Sequence, residues 1–495
     1  MSKIIGISFG HSAAAVLIED NKLLFAIEEE KLTRIKGHIT FPSKSIEYIL
    51  NKRNLKPEDI DFVAVGCENI FEFGHSILQI KEQFGSKSYF FYFIGKLINL
   101  IKTYFWSFDD KKLIKKYFYY LMNKKGFSKQ KIHLVNHHLS HAASAYYLSN
   151  FSESIVFTQD GKGDFACGGL YYANQRDIKL KERINHHNSI GQFYQTVTKY
   201  LGFKPNRHEG KITGLAAYGS FKKTYPILKS AFNFEDDNLA NKLLTNVNTD
   251  PIRFFNKNIT ETDWLGLKYL KQTNKSLRKF NLSYNLYYNF LKNQLETYSK
   301  EDIASGIQKL TEETIVGFLK SRLNKDKNYN ICLAGGVFAN VKLNQKIREI
   351  KNIKNVFVQP AMDDSGTALG SALIINKKTS KKNLSFDTIY LGPSYEEKII
   401  IKAIDKYDLN AKKVKKFHSK VAHELNLGKV VGRFSDRLEW GPRALGNRSI
   451  LVKPDDPKIN DVLNRRLNRT EFMPFAPIIL EEDASKIVEK YSKEH

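Results

Sequence analysis

One strand–loop–hairpin plan occurs twice in this chain, about 150 residues apart, and that repeat limits the fold more than any other feature. Residues 4–30 read as strand IIGIS, a small-residue loop Phe9-Gly10-His11-Ser12-Ala13, strand AAVLIE, a turn at Asp20-Asn21 and strand KLLFAIEEE. Residues 154–183 read as strand SIVFTQ, a loop Asp160-Gly161-Lys162-Gly163-Asp164, strand GGLYYA and strand DIKLKER. At 495 residues the chain is too long for one core. The repeat therefore predicts a duplicated α/β domain over residues 1–385, with lobes of about 1–150 and 151–385. A loop of glycine and small residues inside a hairpin lets backbone N–H groups approach phosphate oxygens, and two such loops facing each other clamp a nucleotide. Gly10, Ser12, Gly161 and Gly163 are the candidate contacts.

This plan resembles the actin, sugar-kinase and Hsp70 ATPase architecture, which carries one phosphate loop per lobe. Ile331 to Val337 adds a buried strand ending in Gly335-Gly336, followed by a helix from about Asn340. That element is similar to the adenosine-binding turn of the same superfamily, and it brings Gly335, Gly336 and Asn340 into the nucleotide site.

A second chemistry is written at Asn136-His137-His138-Leu139-Ser140-His141-Ala142. Lys131 to Val135 reads as a short buried strand, so the histidines open a helix at a strand's C-terminal end, where open α/β sheets place ligands. His137 and His141, four apart, share one helix face and offer two nitrogens to one metal ion. Spacing of this kind also arises from packing alone, so a third ligand is needed. Val356 to Pro360 leads into Ala361 to Gly370, another strand followed by a helix start. Either Asp363 or Asp364 simply caps that helix, or Asp364 completes a His137, His141, Asp364 site with open positions for a substrate oxygen. The metal reading is preferred because both elements sit at strand ends in opposite lobes.

Composition removes several function classes. Cys67, Cys167 and Cys332 lie far apart in apolar runs, which fits buried thiols in a reducing compartment and a cytoplasmic protein. The chain enters a strand at Lys3 without the pattern of a signal peptide. Tyr89 to Trp106 is aromatic and apolar but carries Lys96 and Lys102, so a buried or interfacial helix is expected there and no membrane span. The net charge of +26 comes from lysines scattered along the whole chain, which argues against nucleic acid as a partner. Residues 68–130 and 235–300 read as helical excursions that pack around the core, with an acceptor-binding wall as the alternative.

Taken together the motifs resemble the O-carbamoyltransferases of the NodU, cephamycin and tobramycin type, over essentially the whole chain. The resemblance rests on Gly6 to Ser12, Glu29 to Lys36, His137 to Ala142, Asp160 to Gly163, Glu209 to Ala216, Gly335 to Val337 and Asp363 to Gly370. Its densest part is Leu438-Glu439-Trp440-Gly441-Pro442-Arg443-Ala444-Leu445-Gly446-Asn447-Arg448-Ser449-Ile450-Leu451. It implies an N-terminal domain similar to the tRNA threonylcarbamoyltransferase fold, with a divalent metal, iron(II) first, on the histidine pair and the aspartate. It also implies that residues 386–495 form a YrdC-like domain that makes carbamoyladenylate from carbamoyl phosphate and ATP, with Mg accompanying ATP. Polyanionic substrates require fixed positive charge, and in a lysine-rich chain Arg437, Arg443, Arg448 and Arg469 supply guanidinium forks matched to phosphate. Gly441 would aim Arg443, while Asn464 and Arg466 would line the same groove.

In the transfer step the metal would polarise the carbamoyl carbonyl. His11 would take the proton of an acceptor hydroxyl, or only hydrogen-bond a phosphate or the acceptor. Asp160, Lys211 and the backbone of Gly335 and Gly336 would hold the adenylate. Three departures stand out: Lys31 where an arginine is usual, Asp436 where glycine is frequent, and an end at His495 that leaves the YrdC-like domain short and, by expectation, incomplete. The expected function is carbamoylation of a hydroxyl on a sugar or sugar-derived metabolite, with a homodimer as the assembly considered. The alternatives are a tRNA threonylcarbamoyl-transfer-like enzyme and an inactive nucleotide-binding module.

Overall fold

The computed structural model describes residues 2–70, 110–175, 177–245, 275–380, 384, 386–456, 458–467, 475–489 and 491. The Tyr89 to Trp106 stretch, Arg469 and parts of both helical excursions lie outside the described residues. Among those described, no helix is long and apolar enough to cross a membrane.

The first repeat forms β1 (Lys3–Ser8), β2 (Ala14–Glu19) and β3 (Lys22–Glu28), antiparallel in sequence, with β4 (Phe62–Val65) and β5 (Ile132–Leu134) added in parallel beside β1. The sheet order is β3-β2-β1-β4-β5. Its central strands are apolar at successive positions because both faces are covered. Ile5, Ile7, Val63 and Val65 meet Ile46 and Ile49 of α1 (Ser43–Arg53) on one face. Ile4, Val16 and Ala64 turn to the other face. After β5 the chain enters α2 (His137–Tyr146), whose start is fixed by Asn136, its side chain accepting from Leu139 N at 3.1 Å.

The second repeat forms β6 (Glu153–Gly163), β7 (Ala166–Asn174) and β8 (Ile178–Asn185), joined by β9 (Tyr329–Ala334) and β10 (Ile353–Val358). Its order, β10-β9-β6-β7-β8, is the first sheet's order read from the other edge, with the same mixture of antiparallel and parallel pairs. The duplication expected from the sequence is thus present at the level of topology. Phe157, Ile331 and Leu333 pack on one face against Phe193 and Val197 of α3 (Ile190–Tyr200) and Ile307 and Leu310 of α4 (Lys300–Arg322).

The two lobes exchange helices. Although α2 follows the first sheet, its Ala142 and Ala145 pack on Val156, Cys332 and Ala334 of the second. Conversely α5 (Ser365–Thr379) follows the second sheet and lays Ala368, Leu369 and Ala372 on Ile4, Val16 and Ala64 of the first. Small residues let these elements meet backbone to backbone. A Cβ on Gly370 would lie 1.7 Å from Ser140 O in α2, and one on Gly6 of β1 would lie 2.0 Å from Ala368 O.

Residues on the C-terminal side of position 385 first return to this core. Leu391 O accepts from Ala26 N of β3 at 3.2 Å, and Leu438 N donates to Pro393 O at 3.0 Å. Trp440, wholly buried, packs with Ala361, Ala368 and Leu391. Beyond this strap the character changes. Helices Glu397–Lys406 and Phe417–Asn426 bury no residue, and β11 (Val431–Phe434) and β12 (Arg448–Leu451) form a separate two-stranded sheet. Most exposed large apolar side chains among the described residues, including Ile399, Ile400, Ile401, Phe417 and Phe434, belong to this part.

Gly370→Ala is expected to destabilise the protein by more than about 3 kcal/mol in urea denaturation, because a backbone oxygen cannot withdraw as a flexible side chain can. Gly210→Ala, where an added Cβ meets nothing within 4 Å and the residue is helical, should be neutral or stabilising in the same experiment.

Candidate active site

The helix exchange brings the N-terminal ends of α2 and α5 to one point, above the loop between β6 and β7. His137, His141, Asp160 and Asp364 converge there, each offering one ligand atom, all within 4.8 Å of one another. His141 Nε2 lies 3.2 Å from His137 Nε2 and 3.2 Å from Asp160 Oδ2. Asp364 Oδ1 lies 3.4 Å from His137 Nε2 and 3.5 Å from His141 Nε2, and Asp160 Oδ2 is 4.0 Å from His137 Nε2. Ligands at about 2.1 Å from a tetrahedral ion stand roughly 3.4 Å apart, so the donor set has the size of a first coordination sphere. The chemistry fits as well: two carboxylates balance a divalent charge, and the buried oxygens Asp160 Oδ2 and Asp364 Oδ1 both face the two imidazoles.

Local backbone explains how the cluster is assembled. The β6–β7 register breaks between Gln159 and Gly163, and Gly161 N donates to Asp160 Oδ1 at 2.6 Å, which leaves Oδ2 facing the imidazoles. Gly163 is needed beside it, because a Cβ there would stand 2.1 Å from His137 Cδ2. Asp364 precedes α5 but makes no side-chain capping bond. Of the two readings open to Asp364 in the sequence, the structure places it in the cluster.

Burial alone would push His137 and His141 down, yet the carboxylates of Asp364 and Asp160 raise both, His137 well above its usual value. Burial would raise Asp160, and hydrogen bonding to the two imidazoles holds it well below the carboxylate range. His138, on the far side of α2, is pushed well down by burial and by the charge of its two neighbours. Its Nδ1 meets Thr158 Oγ1 at 3.3 Å, outside the cluster.

His11 stands at the edge of the same cleft, in a loop held open by Gly10 at φ 89° and Ser12 at φ 54°. Its Nδ1 lies 3.2 Å from Ser12 Oγ, which donates to Asp363 Oδ2 at 3.0 Å, and its Nε2 lies 3.2 Å from Asn206 O of the second lobe. A polar chain therefore runs from the residue beside Asp364 across to the 204–209 loop. Lys211 follows on the short helix Glu209–Leu215, with Nζ 5.8 Å from the Phe203 ring centre. Gly335, at φ 104°, touches β6, since a Cβ would meet Gln159 O at 2.1 Å; one on Gly336 would sit 3.2 Å from Asp160 Oδ1. Asn340 caps the helix Val341–Arg348 and donates to Gln308 Oε1 at 2.8 Å. A small pocket of about 10 Å³, room for about one water, lies against His137 and Asp364 and is also lined by Ile7, Phe9, Val65, Cys67 and Thr367.

The C-terminal arginines divide into two sets. Arg437 Nη2 donates to Leu24 O and Leu391 O, both at 2.6 Å, with its guanidinium 4.8 Å from the Phe25 ring centre. Arg448 donates to the carbonyls of Ser435, Asn447 and Asp436 and stacks on Phe434 at 3.6 Å. Both forks grip backbone carbonyls. Arg443 and Arg466 are exposed and Asn464 is buried. Gly441, at φ 107°, donates its N–H to Glu28 Oε1 at 2.8 Å and accepts from Lys31 Nζ at 3.1 Å. Lys31, a point charge where a fork was expected, is therefore matched to a single carbonyl.

Sequence reasoning assigned no role to two acidic residues here, Glu28 and Glu439. Asp160 had been placed with the nucleotide, although a carboxylate heading a phosphate-type loop repels phosphate unless a cation intervenes, and that was its readable signal. Glu28 and Glu439 carried no signal. Glu439 Oε1 accepts from the N–H groups of Leu445, Asn447 and Arg448 at 3.0, 2.7 and 3.0 Å, which outweighs burial and lowers its pKa.

Residues 3–373 match the family model described as carbamoyltransferase N-terminus, and residues 422–495 match carbamoyltransferase C-terminus. The chain is 32% identical to the Methanocaldococcus jannaschii protein MJ1051 over 96% of its own length and 78% of that protein's. It is 28% identical to nodulation protein NolNO of Sinorhizobium fredii over 97% of its length and 64% of the relative's, and 30% identical to nodulation protein NolO of Bradyrhizobium diazoefficiens over 72% and 60%. Among solved structures, component A of the Acidaminococcus fermentans (R)-2-hydroxyglutaryl-CoA dehydratase aligns at 13% identity and a TM-score of 0.39, over 76% of this chain and 99% of that one. Thermococcus kodakarensis HypF aligns at 14% and 0.33, over 77% and 50%.

Two measurements check the electrostatics. Raised imidazole pKa values mean that a cation must displace protons, so titration with Co²⁺ at pH 7 should release protons, seen as a buffer-dependent calorimetric enthalpy. Burial pushes Glu28 up to about 8, with Asp363 adding to the rise and Lys31 opposing it. A folded value above the unfolded one makes stability fall as pH rises from about 4.5 to 8. Glu28→Gln keeps an acceptor for Gly441 N–H and should flatten that slope, leaving the variant more stable than the parent at pH 8 by on the order of 1–3 kcal/mol.

Proposed function

From the premise that the chain belongs to the carbamoyltransferase family of NodU type, and is a carbamoyl-transferring enzyme, we propose that it is an ATP-dependent O-carbamoyltransferase. In this reading carbamoyl phosphate gives up its phosphate, ATP gives up pyrophosphate, and the carbamoyladenylate so formed passes its carbamoyl group to a hydroxyl of a sugar or sugar-derived metabolite. The observation that carries it is the convergence of two imidazoles and two carboxylates beside the His11–Ser12–Asp363 chain. Two sheets of one topology with exchanged helices support an actin-like reading of residues 1–385, with the nucleotide between the lobes.

His137, His141, Asp160 and Asp364 would hold a divalent cation, iron(II) in our reading, which supplies Lewis-acid polarisation of the carbamoyl carbonyl when bound. The acceptor oxygen attacks the carbamoyl carbon, the bond to the adenylate oxygen breaks, and AMP leaves with that electron pair. His11 receives the acceptor's proton in this scheme, and Ser12 with Asp363 fixes its ring. Gly161 N is taken by Asp160 Oδ1 and Gly335 N by Met362 O, so in this scheme Lys211 is the group that would offset the charge of the adenylate phosphate, beside Gly336. Exposed Arg443 and Arg466 are the forks left for carbamoyl phosphate and ATP-Mg in the C-terminal part. Three buried thiols support a reducing, cytoplasmic setting.

Incubation with ATP and carbamoyl phosphate should release pyrophosphate; none, together with retention of tRNA on filters, would favour the threonylcarbamoyl reading. His137→Ala and His141→Ala should each abolish bound metal and carbamoyl transfer while pyrophosphate release continues. Loss of both activities together would contradict the division of labour. Arg443→Lys should slow pyrophosphate release more than tenfold, since a point charge cannot replace a bidentate fork.

A further inference from the structure

We infer that Asp164 is a positioning residue for the metal centre, one that couples its first imidazole to both lobes; the inference rests on the metal reading given above. Asp164 lies in the β6–β7 turn, four residues after Asp160, and is only 2% exposed. Its backbone is left-handed, with φ 49°, and that of Phe165 follows at 61°. The turn aims the carboxylate inward, away from the hairpin tip.

Three backbone N–H groups converge on it. Oδ2 accepts from His137 N at 2.6 Å and Glu68 N at 3.0 Å, and Oδ1 accepts from Asn69 N at 2.7 Å. Cys67 Sγ approaches Oδ1 at 3.7 Å. Arg183 of β8 in turn holds the Asp164 carbonyl, Nη2 to O, at 2.6 Å. One side chain of the second lobe thus grips the residue that carries a ligand and the loop leaving β4 in the first lobe.

Two physical consequences follow. The first is geometric: the hairpin that delivers Asp160 also fixes the backbone of His137, so two ligands from different lobes share one support. The second is electrostatic. The N-terminus of α2 carries about half a positive charge, which opposes a cation on His137 and His141. A carboxylate on the first N–H of that helix offsets the opposition without entering the cluster. An asparagine amide would present an N–H₂ group to donors, so Asp164→Asn removes both effects at nearly constant volume.

The test is Co²⁺ binding to the full chain, read by calorimetry and by the ligand-field absorption of the bound ion. Asp164→Asn should bind at least tenfold more weakly, with a shifted absorption band, while far-ultraviolet circular dichroism stays that of the parent. Parent-like affinity and spectrum would overturn the proposal. A parent protein that binds no Co²⁺ would instead remove the metal reading itself. If Asp164→Asn does not fold, Arg183→Gln decides: it loosens the turn and leaves the carboxylate in place, so affinity should fall about threefold or more. An unchanged value there would also overturn the proposal.

Discussion

Backbone contact between α2 and α5 is the constraint on which the rest of the protein depends. Ser140 and Gly370 meet with no room for a methyl group between them. His141 follows Ser140 by one residue, and Asp364 lies six residues before Gly370. The separation of the helices therefore sets the separation of ligands that belong to different lobes. With the helices farther apart, the imidazoles of α2 would lose Asp364, the carboxylate that faces them from α5. Glycine at the crossing, and alanine and serine along α2, are as much part of the site as the histidines.

Much of this was legible in the sequence, for identifiable reasons. The duplicated hairpin module was readable because fully covered strands are written as short apolar runs between turn residues, and the two sheets have the order the repeat implied. His137 and His141 were readable from their four-residue spacing on a helix that follows a strand, and Asp364 from its place at the start of another such helix. Asp160 entered the right loop with a different role. The division of the C-terminal arginines was not readable at all. A guanidinium fork matches a pair of backbone carbonyls as well as it matches phosphate oxygens, and Arg437 and Arg448 use theirs in the first way. Nothing local to Trp440 or Gly441 announces that their partners, Leu391, Glu28 and Lys31, come from elsewhere in the chain.

The strap formed by residues near 391 and 440 joins the C-terminal residues to the lobe that carries Asp363 and Asp364. Gly441 lies against Pro360, where a Cβ would stand 2.6 Å from the carbonyl oxygen, and Pro360 heads the segment that carries Asp363 and Asp364. The Gly-Pro-Arg block is anchored on the lobe pair that carries the His137, His141, Asp160 and Asp364 cluster. A buried carboxyl at Glu28, with Lys31 beside it, makes that anchor polar and directional, so its register is specified by hydrogen bonds more than by apolar area.

Helix exchange also has a cost during biosynthesis. One face of β1 is closed by α5, which leaves the ribosome about 360 residues later. At ordinary elongation rates that interval lasts roughly 20 to 70 s. Throughout it Ile4, Val16 and Ala64 have no native cover, and neither lobe can reach its final state alone. A slow last folding phase governed by contacts distant in sequence follows from this topology.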